Sequence, residues 1–365
     1  MAGRLGAQRS VRVGVAVLAL TFTLGPVTVL ARPSEPGDLR PTLRELAAAH
    51  HITLGTAVRL TAVDNDPVYD DVLGTQYGAL TPENEMKWDA TEPEPHLFDF
   101  GAGDALVAFA RAHDMEVRGH NLVWQEENPA WLTGAGWTRD QLVSLLREHI
   151  TALVGHYRGQ VRQWDVVNEP FSDDGSLRPD VWSDGIGPDY IGMAFEWAHQ
   201  ADPAAELFLN EYGIEFGGAK TDAVYQLAAR LRSEGVPIEG IGLQMHAPVA
   251  AADLLPAVPS VMARFNSLGL DVAVTEMDVW LPDRPDSSDL RAQAAFYRAV
   301  LGDCLAATRC STFSTWGFTD RYSWVPSRFP GFTAALPFGA DYRAKPAARA
   351  IQAELASAGG RGSPQ

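Results

Sequence analysis

Two glutamates each close a short apolar run, Glu169 after Trp164-Asp165-Val166-Val167-Asn168 and Glu276 after Val272-Ala273-Val274-Thr275, and they stand 107 positions apart. A run of aliphatic residues reads as a strand buried on both faces, and the carboxyl end of such a strand is where an α/β protein places its chemistry. Two carboxylates brought to one pocket from different strands can divide a bond cleavage between them. One delivers a proton to a leaving oxygen while the other attacks, or activates water, on the opposite face. Taken singly, a glutamate after a strand more often serves as a loop charge or a helix cap, so the neighbouring residues have to decide.

Those neighbours are carboxylates, amides and indoles. Other strand-like runs are followed by Glu83, Asn84 and Lys87, by His120, Asn121 and Trp124, by Asn210-Glu211-Tyr212, by Gln244 and His246, by Asp278, and by Trp316 and Trp324. Carboxylates and amides make directional bonds to hydroxyls, and flat indole faces cover the C–H faces of pyranose rings. The mixture suits a sugar polymer and does not suit a phosphate or a nucleotide. Asn168, next to Glu169, could bond a sugar 2-hydroxyl, a contact that strengthens as oxocarbenium character develops; otherwise it is a buried turn amide. His246 reads as a neutral imidazole orienting Glu276, with Asp278 as a further partner. There is no HExxH and no compact ligand cluster, so neither a metal nor an organic cofactor is expected.

Eight strand candidates would position these residues: 52–58, 77–80, 116–124, 163–168, 206–210, 241–245, 272–275 and 311–316. Helical periodicity lies between them. Leu142, Leu145, Leu146, Ile150, Leu153, Val154 and Tyr157 share one face, opened by Thr138 with Gln141 as a capping box. Val224, Leu227, Ala228 and Leu231 share another, stopped by Gly235 and Pro237. Strands alternating with helices imply a parallel sheet, and eight such units predict a single α/β domain, a (β/α)8 TIM barrel. An open doubly wound sheet is the alternative, but the first strand is not followed by a Gly-rich phosphate fingerprint.

The chain has 365 residues and a formal charge of −17. Residues 1–31 stand apart: Arg4, Arg9 and Arg12 precede an apolar stretch from Val13 to Leu30, and Val29-Leu30-Ala31 suits signal-peptidase cleavage. A signal peptide over 1–31, a catalytic domain over 32–358 and a short flexible tail over 359–365 is the expected organisation, with cleavage near Ala31 and secretion. Losing three arginines and no acid takes the charge from −17 to −20. So acidic a protein repels nucleic acid and anionic membranes, whereas a neutral substrate meets no such barrier. Neither nucleic acid nor, after signal removal, a membrane is an expected partner, and a monomer is expected. Cys304 and Cys310 are too few for a four-ligand zinc site; in an exported protein they are expected to form a disulfide, the alternative being two buried thiols.

With these residues assembled, the chain resembles the xylanases of glycoside hydrolase family 10. The resemblance runs from the first strand to the last helix. It rests on Thr81-Pro82-Glu83-Asn84-Glu85-Met86-Lys87-Trp88, Arg118-Gly119-His120-Asn121-Leu122-Val123-Trp124, Trp164-Asp165-Val166-Val167-Asn168-Glu169, Gln244-Met245-His246, Thr275-Glu276-Met277-Asp278 and Trp316-Gly317-Phe318-Thr319-Asp320. It implies an endo-1,4-β-xylanase acting on xylan and xylo-oligosaccharides with retention of configuration, Glu169 being general acid then base and Glu276 the nucleophile. The cycle requires Glu169 to start protonated and Glu276 ionised.

By the same resemblance, Glu83, Asn84 and Lys87 would bind the sugar two places toward the non-reducing end, with His120, Trp124 and Gln244 around the cleaved residue. Trp316 and Trp324 would form the aromatic floor and roof of that side, and Tyr212 would stack a sugar beyond the scissile bond. A disulfide at the Cys304/Cys310 spacing also occurs in many members. Two departures concern the leaving-group side. After Trp124 many members carry histidine then serine, where this chain has Gln125-Glu126-Glu127-Asn128, and the usual Asn-Asp-Tyr-Asn reads Asn210-Glu211-Tyr212-Gly213.

Overall fold

Eight parallel strands close on themselves in a computed structural model that describes residues 1–3, 35–134 and 136–358. The strands are β1 (Thr53–Val58), β2 (Ala79–Pro82), β3 (Glu116–Val123), β4 (Gln163–Asn168), β5 (Glu206–Glu211), β6 (Gly240–Leu243), β7 (Asp271–Pro282) and β8 (Cys310–Thr315). Each pairs in parallel with the next, and β8 returns to pair with β1. The result is the expected (β/α)8 barrel. The signal peptide and tail readings fall on residues 4–34 and 359–365, which lie outside the described residues. No described helix is long and apolar enough to cross a membrane.

Helix placement follows local chemistry. In the helix Arg139–His156, Thr138 Oγ1 accepts from the backbone nitrogen of Gln141 and Gln141 Oε1 accepts from that of Thr138 at 2.9 Å, closing the predicted box. Such a cap stabilises a helix by about 1 kcal/mol. Every residue of the predicted apolar face is buried, and His149 joins it. Helix Ala219–Ser233 ends two residues before Gly235, whose φ of +79° is the left-handed geometry that stops a helix cheaply only at glycine. Cys304, in the last turn of helix Ser287–Ala306, is disulfide-bonded to Cys310 at the start of β8, with Cα atoms 5.4 Å apart.

Five strands end or begin away from the expected residue, for identifiable reasons. β2 starts at Ala79, because Tyr77 caps the preceding helix. β3 and β8 stop one residue early, leaving Trp124 and Trp316 free of the ladder at the barrel mouth. β6 breaks at Met245, which has φ +64°, and pairing resumes with β7 over His246–Pro248. β7 does not end at Glu276 but runs on to Pro282, because its extension pairs with His246–Pro248 on one side and with Phe332–Thr333 on the other. Its register against β8 shifts between Val274 and Met277, so Glu276 sits on an irregularity within a strand.

Gly119 of β3 lies opposite Trp164 of β4, and the fully buried indole occupies the space a side chain would take. A Cβ at Gly119 would fall 2.1 Å from Trp164 Cε3. Gly119→Ala is therefore expected to destabilise the barrel by about 1–3 kcal/mol through overpacking. Thermal or denaturant unfolding checks this, and an unchanged midpoint would contradict the packing described.

Candidate active site

Asn210, the penultimate residue of β5, touches both glutamates. Its side-chain Nδ2 donates to Glu276 Oε1 at 2.6 Å and to Asn168 Oδ1 at 2.9 Å, while its backbone oxygen accepts from the nitrogen of Glu169 at 2.9 Å. Thr275 Oγ1 donates to Asn210 Oδ1 at 2.7 Å and fixes which way the amide faces. Gly242 on β6 makes room for this: a Cβ there would lie 2.1 Å from Asn210 Oδ1. Gln244 Nε2 completes the link, donating to Glu169 Oε1 at 3.0 Å and to Asn168 Oδ1 at 3.3 Å. Glu169 and Glu276 are thus joined by one continuous chain of amide hydrogen bonds. Asn168 enters it through its oxygen, and its amide nitrogen has no protein partner among the described residues.

The two carboxylates are held differently. Glu276 is 5% exposed and takes His246 Nε2 at 3.1 Å on the oxygen that Asn210 leaves. His246 Nδ1 is 2.9 Å from Asp278 Oδ1. Burial works against charge on the imidazole, but Asp278 and Glu276 outweigh it and push His246 well above the ordinary histidine range. With a carboxylate near each ring nitrogen, the surroundings favour the charged form of His246 over the expected neutral imidazole. Asp278 is itself fully buried and accepts from the indole nitrogens of Trp280 and Trp324 at 2.6 and 2.7 Å. Among the described residues no cation bonds the Glu169 carboxylate. Its Oε2 accepts from Trp124 Nε1 at 3.0 Å, and its backbone φ is +55°.

The remaining predicted residues line the same mouth. Lys87 Nζ donates to Asn84 Oδ1 at 2.9 Å and lies 4.9 Å from the centroid of the Trp124 ring, so it pairs neither Glu83 nor Glu85. Arg59 instead grips both oxygens of Glu83 at 2.6 and 2.7 Å. His120 Nδ1 meets Asp165 Oδ2 at 3.0 Å, and Arg118 bonds the same carboxylate. Burial alone would raise Asp165; Arg118 and His120 outweigh it and hold it below the usual carboxylate range. The edge of Trp316 meets His120 with centroids 5.0 Å apart, and Trp324 lies 5.1 Å from His246. Tyr212 donates to Asp173 Oδ1 at 2.8 Å, and Lys220 Nζ sits 3.2 Å from the centre of its ring.

The sequence singles out neither Asn210 as a holder of Glu276 nor a site role for Arg59, Trp280, or the motif residues Arg118 and Asp165. Asp165 stands inside the motif that ends in Glu169, a charged residue in a run reading as buried on both faces, and that was a usable signal. Glu211, one of the departures, is fully buried, with Lys220 Nζ at 2.9 Å and donors from the backbone nitrogens of Phe171 and Tyr212. Burial pushes its carboxyl up to about 8 against the charge of Lys220. Among the described residues no three His, Cys, Asp or Glu side chains converge as a metal site would require.

A closed (β/α)8 barrel with two hydrogen-bonded glutamates at the carboxyl ends of its strands, surrounded by indoles and amides, defines the class as a carbohydrate-active barrel protein. The chain belongs to Glycosyl hydrolase family 10, whose profile matches residues 42–354. It is 41% identical over 301 residues to endo-1,4-beta-xylanase C of Phanerodontia chrysosporium, covering 80% of this chain and 75% of that one. Native xylanase 10B from Thermotoga maritima superposes with a TM-score of 0.85 at 40% identity, covering 87% of this chain and 98% of that one. Xylanase 10B from Thermotoga petrophila RKU-1, solved in complex with xylobiose, gives 0.85 at 39% identity, with 87% and 97% covered.

The pair of carboxylates around His246 has a measurable consequence for stability. Its folded pKa lies above the unfolded value of about 6.5, so the stability it contributes is complete below that pH and is lost as pH rises through the folded value. Thermal melts of wild type and His246→Gln should differ most near about pH 5.5 and converge on the alkaline side. A gap that widens with pH would contradict a charged His246.

Proposed function

We infer that this protein is an endo-1,4-β-xylanase that hydrolyses internal β-1,4-xylosidic bonds of xylan with retention, through a covalent glycosyl-enzyme. The observation that carries the reading is the amide chain Glu169–Gln244–Asn168–Asn210–Glu276, which ties two carboxylates from separate strands into one unit. Attack on the anomeric carbon needs an ionised carboxylate, and His246 sets a positive charge 3.1 Å from Glu276. Glu276 is the nucleophile. Glu169, with neutral donors only, gives its proton to the departing oxygen and takes one from water in the second step. Once Glu276 is glycosylated its charge is gone, which suits Glu169 to its second role as base.

Asn168 offers its unused amide nitrogen to the 2-hydroxyl of the cleaved sugar. Glu83, Asn84 and Lys87 bind the sugar two places toward the non-reducing end, and His120, Trp124 and Gln244 surround the cleaved residue between Trp316 and Trp324. Arg59 supports this by holding Glu83 in one orientation as a hydroxyl acceptor. Tyr212 forms the wall beyond the scissile bond. The protein is secreted as a monomer after cleavage near Ala31, and needs neither metal nor organic cofactor.

Glu169→Ala and Glu276→Ala, assayed with azide on an activated aryl xylobioside, test these roles. Azide should rescue both variants, giving the β-azide from Glu169→Ala by attack on the glycosyl-enzyme and the α-azide from Glu276→Ala by direct displacement. Both should lose nearly all activity on xylan. Full xylan hydrolysis by Glu276→Ala, or the opposite azide stereochemistry, would reverse or remove the assignment.

A further inference from the structure

Arg178 lies in the loop after β4, half-buried, and one guanidinium makes three hydrogen bonds there. Its Nε donates to the backbone oxygen of Glu169 at 3.1 Å, and its Nη2 donates to the backbone oxygen of Phe171 at 2.8 Å and to the hydroxyl of Tyr212 at 3.0 Å. The arginine is fixed in turn: its backbone nitrogen donates to the oxygen of Pro170 at 2.8 Å and its carbonyl accepts from Ser183 Oγ at 2.7 Å. All three acceptors of the side chain are neutral. The nearby carboxylates Glu211 and Asp173 are served by Lys220, at 2.9 and 3.5 Å. Arg178 is therefore not placed as an ion-pair partner; it is placed to hold backbone.

What it holds is strained. Glu169 has φ +55°, the left-handed region that a residue with a Cβ occupies only when its surroundings over-determine it. Its nitrogen is pinned to the oxygen of Asn210, on the β5 side. Its carbonyl is pinned by Arg178, and the same guanidinium grips Tyr212, whose hydroxyl donates to Asp173 Oδ1 at 2.8 Å. The planar fork reaches these acceptors from two separate nitrogens, a spread that the one nitrogen of an ammonium does not have.

We propose that Arg178 is a positioning residue that locks the turn carrying Glu169 to Tyr212, so that proton delivery is tied to the wall on the leaving-group side. This rests on the reading of Glu169 as the acid. A leaving oxygen that needs a proton feels any misplacement of the donor, whereas one that departs as a stable anion does not. Loss of Arg178 thus acts selectively on poor leaving groups, a pattern that general loosening of the fold does not produce.

The test compares wild type, Arg178→Ala, Arg178→Lys and Glu169→Ala by kcat/KM, which reports the glycosylation step, on phenyl and dinitrophenyl β-xylobiosides. Arg178→Ala should lower kcat/KM about 10- to 100-fold on the phenyl substrate and less than about 3-fold on the dinitrophenyl one. Added guanidinium ion should restore part of the loss on the phenyl substrate. Arg178→Lys, which keeps charge and stem should Arg178→Ala fail to fold, should show the same selectivity. Equal losses on both substrates, or none on either, would overturn the proposal if Glu169→Ala is itself selective. If Glu169→Ala shows no selectivity, the acid assignment falls, and this proposal with it.

Discussion

The site depends on the carboxamide of Asn210. Three of its polar atoms serve four partners on β4, at its end and on β7: Nδ2 to Glu276 and Asn168, Oδ1 from Thr275, and the backbone oxygen from Glu169. The last is an ordinary parallel-ladder bond, so the geometry of the barrel and that of the two glutamates are set by the same residue. Thr275 and Gln244 supply further donors to this buried network, and the Asn168 amide nitrogen is the atom in it without a protein partner among the described residues. Gly242 leaves the space, since any side chain at that position would displace the amide.

Around that amide the two carboxylates are backed by different groups. His246, Asp278 and two indole donors back Glu276 in a buried network in which the His246 ring lies between the two carboxylates. Glu169 receives an indole and an amide, and its backbone reaches toward Tyr212 through Arg178. The extension of β7 past Glu276 is part of the same design. It carries Asp278 and Trp280 outward to meet Trp324 and Phe329, so the strand that presents the proposed nucleophile also anchors the Trp324 indole.

Much of the fold was legible because strands buried on both faces read as continuous apolar runs and helices as one-sided stripes with caps, as at Thr138 and Gly235. Strand ends were less legible: β6 breaks at the left-handed Met245, and β7 runs on because it pairs with Phe332–Thr333, a segment fifty residues further along the chain. The glutamates, amides and indoles stood in recognisable motifs. The part played by Asn210 did not, because it follows from the register that sets Asn168 beside Asn210. The charge on His246 requires two carboxylates to arrive on opposite sides of one ring. Arg178 bonds backbone carbonyls, which leave no mark in a sequence.

In the proposed reaction Glu276 attacks the sugar while Glu169 manages the proton. A 2-fluoro-xylobioside with a good leaving group addresses it most directly, because the fluorine slows both steps and the leaving group spares the first, so a glycosyl-enzyme accumulates. Proteolysis and mass spectrometry then locate the adduct. One 2-fluoroxylobiosyl group per chain, on the peptide that contains Glu276 and absent from Glu276→Ala, is the predicted result. An adduct on Glu169 or elsewhere, or turnover without any adduct and with inverted product, would contradict it.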